Sequence, residues 1–471
     1  MKTLTINSLF KALGQEVGLR NDRQITGGCI DSRLVQPGNL FIAMEGENTD
    51  GHRYLEQAFA NGAALALIER PNDLHYPMLD VSEKLFEIPS KPFCLLVPNT
   101  LDALQQIAAW WRRQFSLPVI GITGSVGKSS TKETLATLLG YKFNVLKNQG
   151  NLNNEIGLPL TLLDLNEAHQ VAVLEMGFYV PGEIDLLCTI ARPQTGIITN
   201  IGTVHAERAG DLTTIALGKA ELVQTLPPEP IGLAVLNHDD PYVLKMTAET
   251  SAKVVTYGLS SEADLWADDI RSYGPDGIQL TVYHQGQAHR LSSKLMGRHS
   301  AYNLLSAIAV ALHLEMTWEE IQTSLETQIP VQRLHLLTSS TGATLLDDSY
   351  NASPLSTMAA LELLGEFSGE KIAVLGDMLE LGRYETEGHL QVLIKALTIA
   401  DRIVLIGPRF HKLCTQSIAA ALPKERIHLF DDSASAASFL SDSLHEGQVV
   451  LVKGSHGMNM VSIIKQLEAK S

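Results

Sequence analysis

The residues from 121 to 130 have the types and spacing of a phosphate-binding loop. They read Gly-Ile-Thr-Gly-Ser-Val-Gly-Lys-Ser-Ser and follow an apolar, strand-like run. In such a loop, backbone N–H groups turn toward a phosphate, Lys128 reaches the outer phosphates, and the hydroxyl of Ser129 meets Mg²⁺. Ile122 stands where the strict pattern has its first glycine, and the alternative interpretation is a glycine-rich turn with a surface lysine. The predicted phosphate site comprises Gly124, Ser125, Val126, Gly127, Lys128, Ser129 and Ser130.

Two further side chains could hold a metal ion beside this loop. Glu175 directly follows the apolar run 171–174, and His205 follows a strand and loop that begin at Ile197. Ligands bind at the carboxyl ends of parallel strands, and Mg²⁺ takes oxygen ligands, of which the protein supplies few. We therefore expect Glu175 to bind the metal. A solitary histidine such as His205 is, on residue type alone, more often a hydrogen-bonded structural residue than a metal ligand.

Three other segments place polar side chains where strands are expected to end, namely 148–154, 345–354 and 371–382. The first is dense in amides, which could bind a polar, peptide-like or sugar-like substrate or form a turn cluster. None of these three segments identifies a reaction by itself. The sequence shows no Ser/His/Asp arrangement, zinc-ligand spacing or dinucleotide fingerprint, so it disfavours hydrolase-triad, zinc-enzyme and dehydrogenase chemistries.

The elements that must position these residues alternate between strand-like and helix-like segments along almost the whole chain. The run 119–123 predicts a buried parallel strand, and residues 129–139 have helical spacing. This alternation is typical of the α/β class. We predict three α/β domains, with boundaries near residues 98 and 333, so that the domains span 1–98, 99–333 and 334–471.

Composition and charge limit the possible partners. The chain has 471 residues, 36 Lys plus Arg against 52 Asp plus Glu, and a formal net charge of −16. That balance argues against DNA, RNA or an anionic membrane surface as the main partner, because these need broad basic patches. No apolar run reaches the roughly 18 residues of a membrane span, so we expect no membrane insertion and a cytoplasmic location. The four cysteines lie far apart, which favours reduced thiols.

Taken together, these segments resemble the Mur ligases, the ATP-dependent amino-acid and peptide ligases of peptidoglycan synthesis, over nearly the whole chain. The loop 123–129 matches the family pattern, including its glycine-to-lysine spacing. Residues 348–354 and 376–382 resemble the member that adds D-alanyl-D-alanine to UDP-N-acetylmuramoyl-tripeptide. The resemblance implies an N-terminal uridine-nucleotide-binding domain, a central P-loop ATPase-like parallel-sheet domain and a C-terminal Rossmann-like domain, which contacts the dipeptide and ATP.

The resemblance also implies roles for residues around the phosphate loop. Lys128 would contact the β- and γ-phosphates of ATP, and Ser129 and Glu175 would hold Mg²⁺. His205 would help to hold a second Mg²⁺ together with Lys219, which matches a carbamylated lysine of the family. From the sequence alone, Lys219 is expected to be a solvated helix residue.

Further ligand contacts are implied in the same way. Asn303 would contact adenine, Arg333 would contact ATP, and Asp347 or Asp348 would lie on the ribose side. The substrate-binding residues implied are Ser32, Arg33, Asp50, Asn151, Asn154, Tyr350 and Asn351. The chain departs from the family pattern at Ser300, Gln332, His456 and Asn459, where relatives carry asparagine, glycine, arginine and arginine.

The chemistry implied is a two-step amide synthesis. The terminal carboxylate of UDP-N-acetylmuramoyl-tripeptide attacks the γ-phosphate of ATP to give an acyl phosphate, and the amine of D-Ala-D-Ala then displaces phosphate. Three domains suit three ligands, and we expect a monomer that closes about a hinge near residue 333. The sequence does not distinguish lysine from diaminopimelate at the third position of the tripeptide.

Three alternatives stay open. A folylpolyglutamate synthase has a similar phosphate loop but lacks the uridine-binding first domain that residues 25–55 resemble. A Mur ligase that adds diaminopimelate or lysine usually carries an Asp-Asn-Pro-Arg motif, which is absent from this sequence. A P-loop regulatory ATPase is a different class, and it would hydrolyse ATP without either peptide substrate.

Overall fold

A computed structural model describes residues 2–15, 22–46, 49–71, 75–83, 88–328, 330, 333–417 and 423–469. Gln332, one of the departures from the family pattern, lies outside these residues, and the hinge predicted near residue 333 borders them. The four cysteines lie within the described ranges as free thiols. In the same ranges, no helix is both long and apolar enough to cross a membrane.

Parallel strands form the first sheet, whose order is β1-β2-β3-β5-β4. The strands are β1 (Gly28–Cys29), β2 (Leu40–Ile42), β3 (Leu65–Ile68), β4 (Met78–Asp80) and β5 (Phe93–Leu96). The helices of this part of the chain are α1 (Ile6–Ala12), α2 (Leu55–Ala60) and α3 (Thr100–Arg112). Strands β2 and β3 are buried along their whole length, as expected for parallel strands covered on both faces.

The second sheet has the order β14-β13-β12-β11-β10-β9-β6-β8-β7. Its strands are β6 (Val119–Thr123), β7 (Val145–Lys147), β8 (Val171–Glu175), β9 (Thr195–Ile198), β10 (Leu233–Asn237), β11 (Lys253–Gly258), β12 (Leu265–Ser272), β13 (Ile278–His284) and β14 (Gln287–Ser293). The helices along this stretch are α4 (Lys128–Gly140), α5 (Gly157–Leu163), α6 (Glu183–Ala191), α7 (Ala206–Ala209), α8 (Leu212–Gln224), α9 (Pro241–Lys245), α10 (Ser300–His313) and α11 (Trp318–Thr327).

The edge of this sheet carries an antiparallel hairpin that we did not predict. Strands β13 and β14 pair antiparallel and are joined by Gln285 and Gly286, whose φ angles are +51° and +77°. Two consecutive positive φ values suit the turn that matches the right-handed twist of a hairpin. The alternating apolar and polar residues of β13 were the available signal.

The third sheet has the order β15-β16-β20-β17-β18-β19 and is parallel except for the pair β15–β16. Its strands are β15 (His335–Thr338), β16 (Thr344–Asp348), β17 (Glu370–Gly376), β18 (Arg402–Ile406), β19 (Ile427–Phe430) and β20 (Gln448–Lys453). The helices are α12 (Pro354–Glu366), α13 (Glu385–Ile399), α14 (Pro408–Lys412), α15 (Ser433–Ser443) and α16 (Val461–Leu467). One apolar core contains Leu361, Leu375 and Leu405, and a second contains Ile372, Val404 and Val450.

Three sheets with helices between their strands confirm the α/β fold class. The predicted parallel strand 119–123 is β6, whose residues are all buried. The helix predicted from residue 129 begins one residue earlier, at Lys128. The domain boundaries near residues 98 and 333 stay a prediction.

A buried arginine anchors the segment that leads into β6. Arg112, at the end of α3, is 4% exposed. Its guanidinium donates to the carbonyls of Phe115, Leu117 and Ala191 at 2.7, 3.3 and 2.9 Å. Burial lowers the pKa of Arg112 to about 10, so the group stays charged at neutral pH. These bonds fix the turn between α3 and the strand that ends at the phosphate loop.

We expect Arg112→Ala to lower the free energy of unfolding by about 2–4 kcal/mol, because three buried carbonyls lose their donor. Arg113→Ala is the matched control, since Arg113 is exposed and its loss should change the free energy by less than about 0.5 kcal/mol. Urea unfolding followed by circular dichroism measures both. Equal effects of the two substitutions would show that Arg112 does not anchor this turn.

Candidate active site

The predicted phosphate loop lies between a buried strand and a helix. Strand β6 ends at Thr123, and α4 begins at Lys128. Gly124 and Gly127 have φ angles of +145° and +90°, a region that favours glycine. A Cβ atom on Gly124 would lie 1.9 Å from Thr199 Oγ1. Conformation and space therefore both require glycine at position 124.

Hydrogen bonds from the segment after β9 fix this loop. Thr199 Oγ1 and Asn200 Nδ2 donate to the carbonyl of Val126 at 2.7 and 2.8 Å. Asn200 Oδ1 accepts from the N–H of Val126, and the Asn200 carbonyl accepts from the N–H of Ser125, both at 2.9 Å. Ser125 Oγ donates to the carbonyl of Gly202 at 3.1 Å. The N–H groups of Ser125 and Val126 are thus bonded within the protein, and the N-terminus of α4 adds the positive end of a helix dipole to the site.

Two lysine ammonium groups meet at one carbonyl of the loop. Lys128 Nζ donates to the Gly124 carbonyl at 2.7 Å, and Lys219 Nζ donates to the same oxygen at 3.1 Å. Lys219 lies in α8, is 1% exposed, and has its Nζ 4.5 Å from the centre of the Phe178 ring. The expectation from sequence alone that Lys219 is solvated is therefore wrong. A buried lysine at this position concentrates positive charge where phosphates are expected.

Amides of the 148–154 segment hold the carboxylate of Glu175. Glu175 ends β8 and is 1% exposed. Asn148 Nδ2 donates to the Glu175 carbonyl and Asn148 Oδ1 accepts from the Glu175 N–H, both at 3.0 Å. Asn153 Nδ2 donates to Glu175 Oε1 at 2.7 Å. Sequence reasoning missed these roles of Asn148 and Asn153; the available signal was that their segment follows β7, the neighbour of β8.

The two amides of this segment that were predicted to bind substrate have different surroundings. Asn154 Oδ1 accepts from the N–H of Gly157 at 2.9 Å, at the start of α5. Asn151 is exposed, and its carbonyl accepts from the N–H of Asn153 at 2.8 Å. Asn154 thus supports a helix start, whereas the side chain of Asn151 is accessible to a substrate.

His205 lies in a strained backbone conformation beside an acidic partner. Its φ angle is +64°, and its Nδ1 lies 2.5 Å from Glu380 Oε2. The ring also packs edge-on against Tyr179, with ring centres 4.6 Å apart. Burial, followed by the nearby positive charge of Lys128, lowers the pKa of His205 to about 4. The imidazole is therefore neutral at pH 7, as a metal ligand requires.

Arg333 reaches the phosphate loop from the segment before β15. Its guanidinium donates to Ser129 Oγ at 2.8 Å and lies 4.8 Å from the centre of the Tyr350 ring. Three of the residues predicted for ATP, metal and substrate therefore lie together. Tyr350 is 42% exposed, so part of its ring is open to a ligand.

The residues predicted for adenine and ribose lie in hydrogen-bonded positions. Asn303 is buried in α10, and its Oδ1 accepts from Thr131 Oγ1 at 3.2 Å. Asp348 Oδ2 accepts from Lys453 Nζ at 2.6 Å. The same ammonium donates to the carbonyl of Asn351 at 2.9 Å. Asp348 and Asn351 are thus tied to one buried lysine of β20.

Local structure accounts for two of the departures from the family pattern. Ser300 Oγ donates to the carbonyl of Met296 at 2.7 Å, at the start of α10. Asn459 has a φ angle of +51°, a left-handed conformation that asparagine tolerates better than arginine does. The ring of His456 lies 5.6 Å from that of Tyr350; nothing in the structure explains the histidine itself.

A cleft of about 440 Å³ borders both the segment predicted to bind the uridine nucleotide and the amide-rich segment 148–154. Its lining includes Asp31, Leu34, Lys147, Gln149, Leu152 and Asp164. Burial raises the pKa of Asp164 to about 6. The two segments that the sequence predicts to bind substrate therefore border the same space.

The three side chains predicted for the uridine nucleotide make local contacts. Arg33 is 77% exposed and forms an ion pair with Asp31 at 2.6 Å. Ser32 Oγ donates to Gln57 Oε1 at 2.7 Å. Asp50 accepts from the N–H of His52 at 3.0 Å and forms an ion pair with Arg70. Arg33 uses Nε and Nη2 for Asp31, so its guanidinium is held at this exposed position by that carboxylate.

Mur ligase families match three successive parts of the chain. The Mur ligase family, catalytic domain, matches residues 24–109. The Mur ligase middle domain matches residues 122–311, and the Mur ligase, glutamate ligase domain, matches residues 332–456. The middle match contains the phosphate loop, Glu175, His205 and Lys219.

Individual relatives extend the similarity to nearly the full length. The UDP-N-acetylmuramoyl-tripeptide--D-alanyl-D-alanine ligase of Synechocystis is 36% identical over 458 residues, covering 96% of this chain and 94% of that protein. The crystal structure of MurF from Acinetobacter baumannii has a TM-score of 0.84 and 29% identity, with 99% of each chain covered. The MurF ligase of Thermotoga maritima, in complex with ADP, has a TM-score of 0.78 and 27% identity, with 93% of this chain and 96% of that chain covered.

Because Asn153 orients the carboxylate of Glu175, we expect Asn153→Ala to raise the Mg²⁺ concentration needed for half-maximal ATP consumption by about 10-fold or more. The measurement is a Mg²⁺ titration at saturating ATP. Asn144→Ala, at an exposed position just before β7 and at the opposite end of that strand, is the control and should leave the titration unchanged. If Asn153→Ala leaves the Mg²⁺ titration unchanged, Asn153 does not orient Glu175 for metal binding.

Proposed function

The chain belongs to the Mur ligase family, and on that premise we propose that it joins D-alanyl-D-alanine to UDP-N-acetylmuramoyl-tripeptide in an ATP-dependent reaction. The product is UDP-N-acetylmuramoyl-pentapeptide, the precursor of peptidoglycan. The observation that carries this proposal is the convergence of Lys128, Lys219 and Arg333 on the phosphate loop of a chain similar over nearly its full length to ligases of that name.

In the first step, an oxygen of the terminal carboxylate of the tripeptide attacks the γ-phosphorus of ATP. The new bond joins carboxylate oxygen to phosphorus, ADP leaves, and the product is an acyl phosphate. Lys128 and the first turn of α4 bind the phosphate oxygens, and Arg333 offsets the charge that develops during transfer. Because its guanidinium already bonds to Ser129, Arg333 is within reach of the loop.

In the second step, the neutral amine of D-Ala-D-Ala attacks the acyl carbon. The carbon–oxygen bond to phosphate breaks, the amide forms, and the amine proton leaves with the phosphate. The protein acts here by holding the two reactants in contact. We assign Tyr350 and Asn351 to the dipeptide, since the exposed face of Tyr350 lies beside Arg333.

The donor groups fit Mg²⁺. Ser129 and Glu175 offer a hydroxyl and a carboxylate, and hard cations prefer oxygen ligands. Within the described ranges, no three His, Cys, Asp or Glu side chains form a metal cluster by themselves. We assign Ser129 and Glu175 to one ion, and His205 with a carbamylated Lys219 to a second. When bound, Mg²⁺ neutralises charge on the phosphates.

The remaining substrate groups are assigned by position. In this proposal Asn303 contacts adenine, and Asp348 lies on the ribose side. The uridine nucleotide binds with Ser32, Arg33 and Asp50, and Asn151 and Asn154 bind another part of the same substrate. Gln149 and Leu152, which line the cleft beside Asp31, belong to the same segment as these two asparagines. We also propose that the protein is a monomer and that, as an enzyme that uses ATP, it acts in the cytoplasm.

To test this proposal, the protein is incubated with ATP, UDP-N-acetylmuramoyl-tripeptide and D-Ala-D-Ala. Phosphate release is measured, and the product is identified by mass spectrometry. We expect phosphate and pentapeptide in equal amounts only when both peptide substrates are present. Lys128→Ala should reduce turnover by at least about 10²-fold because the outer phosphates lose their cation, whereas Lys245→Ala, at an exposed lysine, should not. Phosphate release without either peptide substrate would indicate a regulatory ATPase instead.

Carbamylation of Lys219 has a separate test. We expect the protein, equilibrated with ¹³C-bicarbonate, to show a carbamate carbon signal by NMR. An ammonium nitrogen has no lone pair for a metal ion, whereas a carbamate supplies the oxygen ligands that Mg²⁺ prefers. Lys219→Ala should lack that signal, and Lys132→Ala, which removes another buried lysine, should retain it. Fully active wild-type protein without a carbamate signal would contradict the assignment.

A further inference from the structure

One acidic side chain outside the residues assigned above contacts the site directly. Glu380 follows β17, and its Oε2 lies 2.5 Å from His205 Nδ1, although 175 residues separate the two in sequence. An ionised carboxylate can only accept a hydrogen bond. The imidazole must therefore carry its proton on Nδ1, which leaves Nε2 with the lone pair.

The backbone on both sides of this contact is shaped to make it. His205 and Glu380 have φ angles of +64° and +62°, which non-glycine residues rarely adopt. The N–H of Glu207 donates to the carbonyl of Glu380 at 3.1 Å. Strained backbone of this kind persists where surrounding contacts fix it, and it clusters at functional sites.

Neighbouring residues bring the two segments close together. Gly382 has a φ angle of +53°, and a Cβ atom there would lie 3.1 Å from the Cα of Glu207. Arg383 and Asp211 form an exposed ion pair at 3.5 Å. The contact between His205 and Glu380 thus lies within a larger interface between two segments of the chain, residues 205–211 and 380–384, and it is partly buried there.

We propose that Glu380 is a positioning residue for the ligase reaction, which holds His205 in the tautomer whose Nε2 is available as a metal ligand. This inference rests on the proposed function. Histidines that bind metals commonly donate their other N–H to a carboxylate, which fixes both the ring and the tautomer. Here that carboxylate belongs to the segment 376–382, so the site beside the phosphate loop is complete only when that segment is docked.

The first test observes the tautomer directly, in metal-free full-length protein at neutral pH. Nitrogen-15 NMR of the histidine rings, with the His205 signals identified by their loss in His205→Gln, should show a proton on Nδ1 in the wild type. Glu380→Ala should shift His205 toward the Nε2-protonated tautomer. Arg383→Ala, which removes the exposed ion pair with Asp211 and the hydrogen bond to Tyr384 Oη, should keep the wild-type tautomer.

The second test is kinetic. We expect Glu380→Ala to lower kcat by about 10- to 100-fold and to raise the Mg²⁺ requirement, while KM for ATP changes less than about two-fold. Glu380→Gln retains an acceptor oxygen, so its kcat should lie between those of Glu380→Ala and the wild type. A loss of kcat caused only by lost packing would not depend on that acceptor. Arg383→Ala should stay within two-fold of the wild type.

Two results would overturn the proposal. One is an Nδ1-protonated His205 in Glu380→Ala, and the other is a wild-type Mg²⁺ titration and kcat for that variant. If the wild-type protein forms no pentapeptide, the proposed function fails, and the NMR result then reports on the contact alone.

Discussion

The carbonyl oxygen of Gly124, which accepts hydrogen bonds from both Lys128 and Lys219, is the interaction on which the site depends. It exists because Gly124 takes a φ angle of +145° against Thr199, where no side chain fits. With Lys219 uncarbamylated, two ammonium groups at one oxygen create a strongly positive position in a protein whose formal charge is −16. The proposed carbamylation would give Lys219 a negative charge, and the local cations would then be Lys128, Arg333 and bound Mg²⁺. The site is therefore suited to anions, and the acidic background confines their binding to the few places where cations gather.

The loop and the fold around it could be predicted because their signals are local. The glycine spacing, the apolar run of β6 and the helical spacing after Lys128 lie within about twenty residues of one another. Parallel strands buried on both faces read as apolar runs, so the α/β class was visible as well. The hairpin β13–β14 was missed although its alternation was present, because the turn at Gln285 and Gly286 lacks the usual Asn-Gly signal.

The partners of the site residues could not be predicted, because they are set by tertiary contacts. Lys219 meets Gly124 across 95 residues, and Glu380 meets His205 across 175. Even Asn153, only 22 residues from Glu175, depends on the pairing of β7 with β8. From residue type alone, such side chains are predicted to be solvated or to form turns. Their roles follow from burial and distance, which is why family resemblance was needed to single out Lys219.

The most direct test of phosphoryl transfer to a carboxylate at this loop is an isotope measurement. UDP-N-acetylmuramoyl-tripeptide labelled with ¹⁸O in its terminal carboxylate is incubated with ATP and D-Ala-D-Ala, and the released phosphate is analysed by mass spectrometry. If an acyl phosphate forms, each phosphate carries one ¹⁸O atom from the carboxylate. Pentapeptide formation accompanied by unlabelled phosphate would contradict that chemistry.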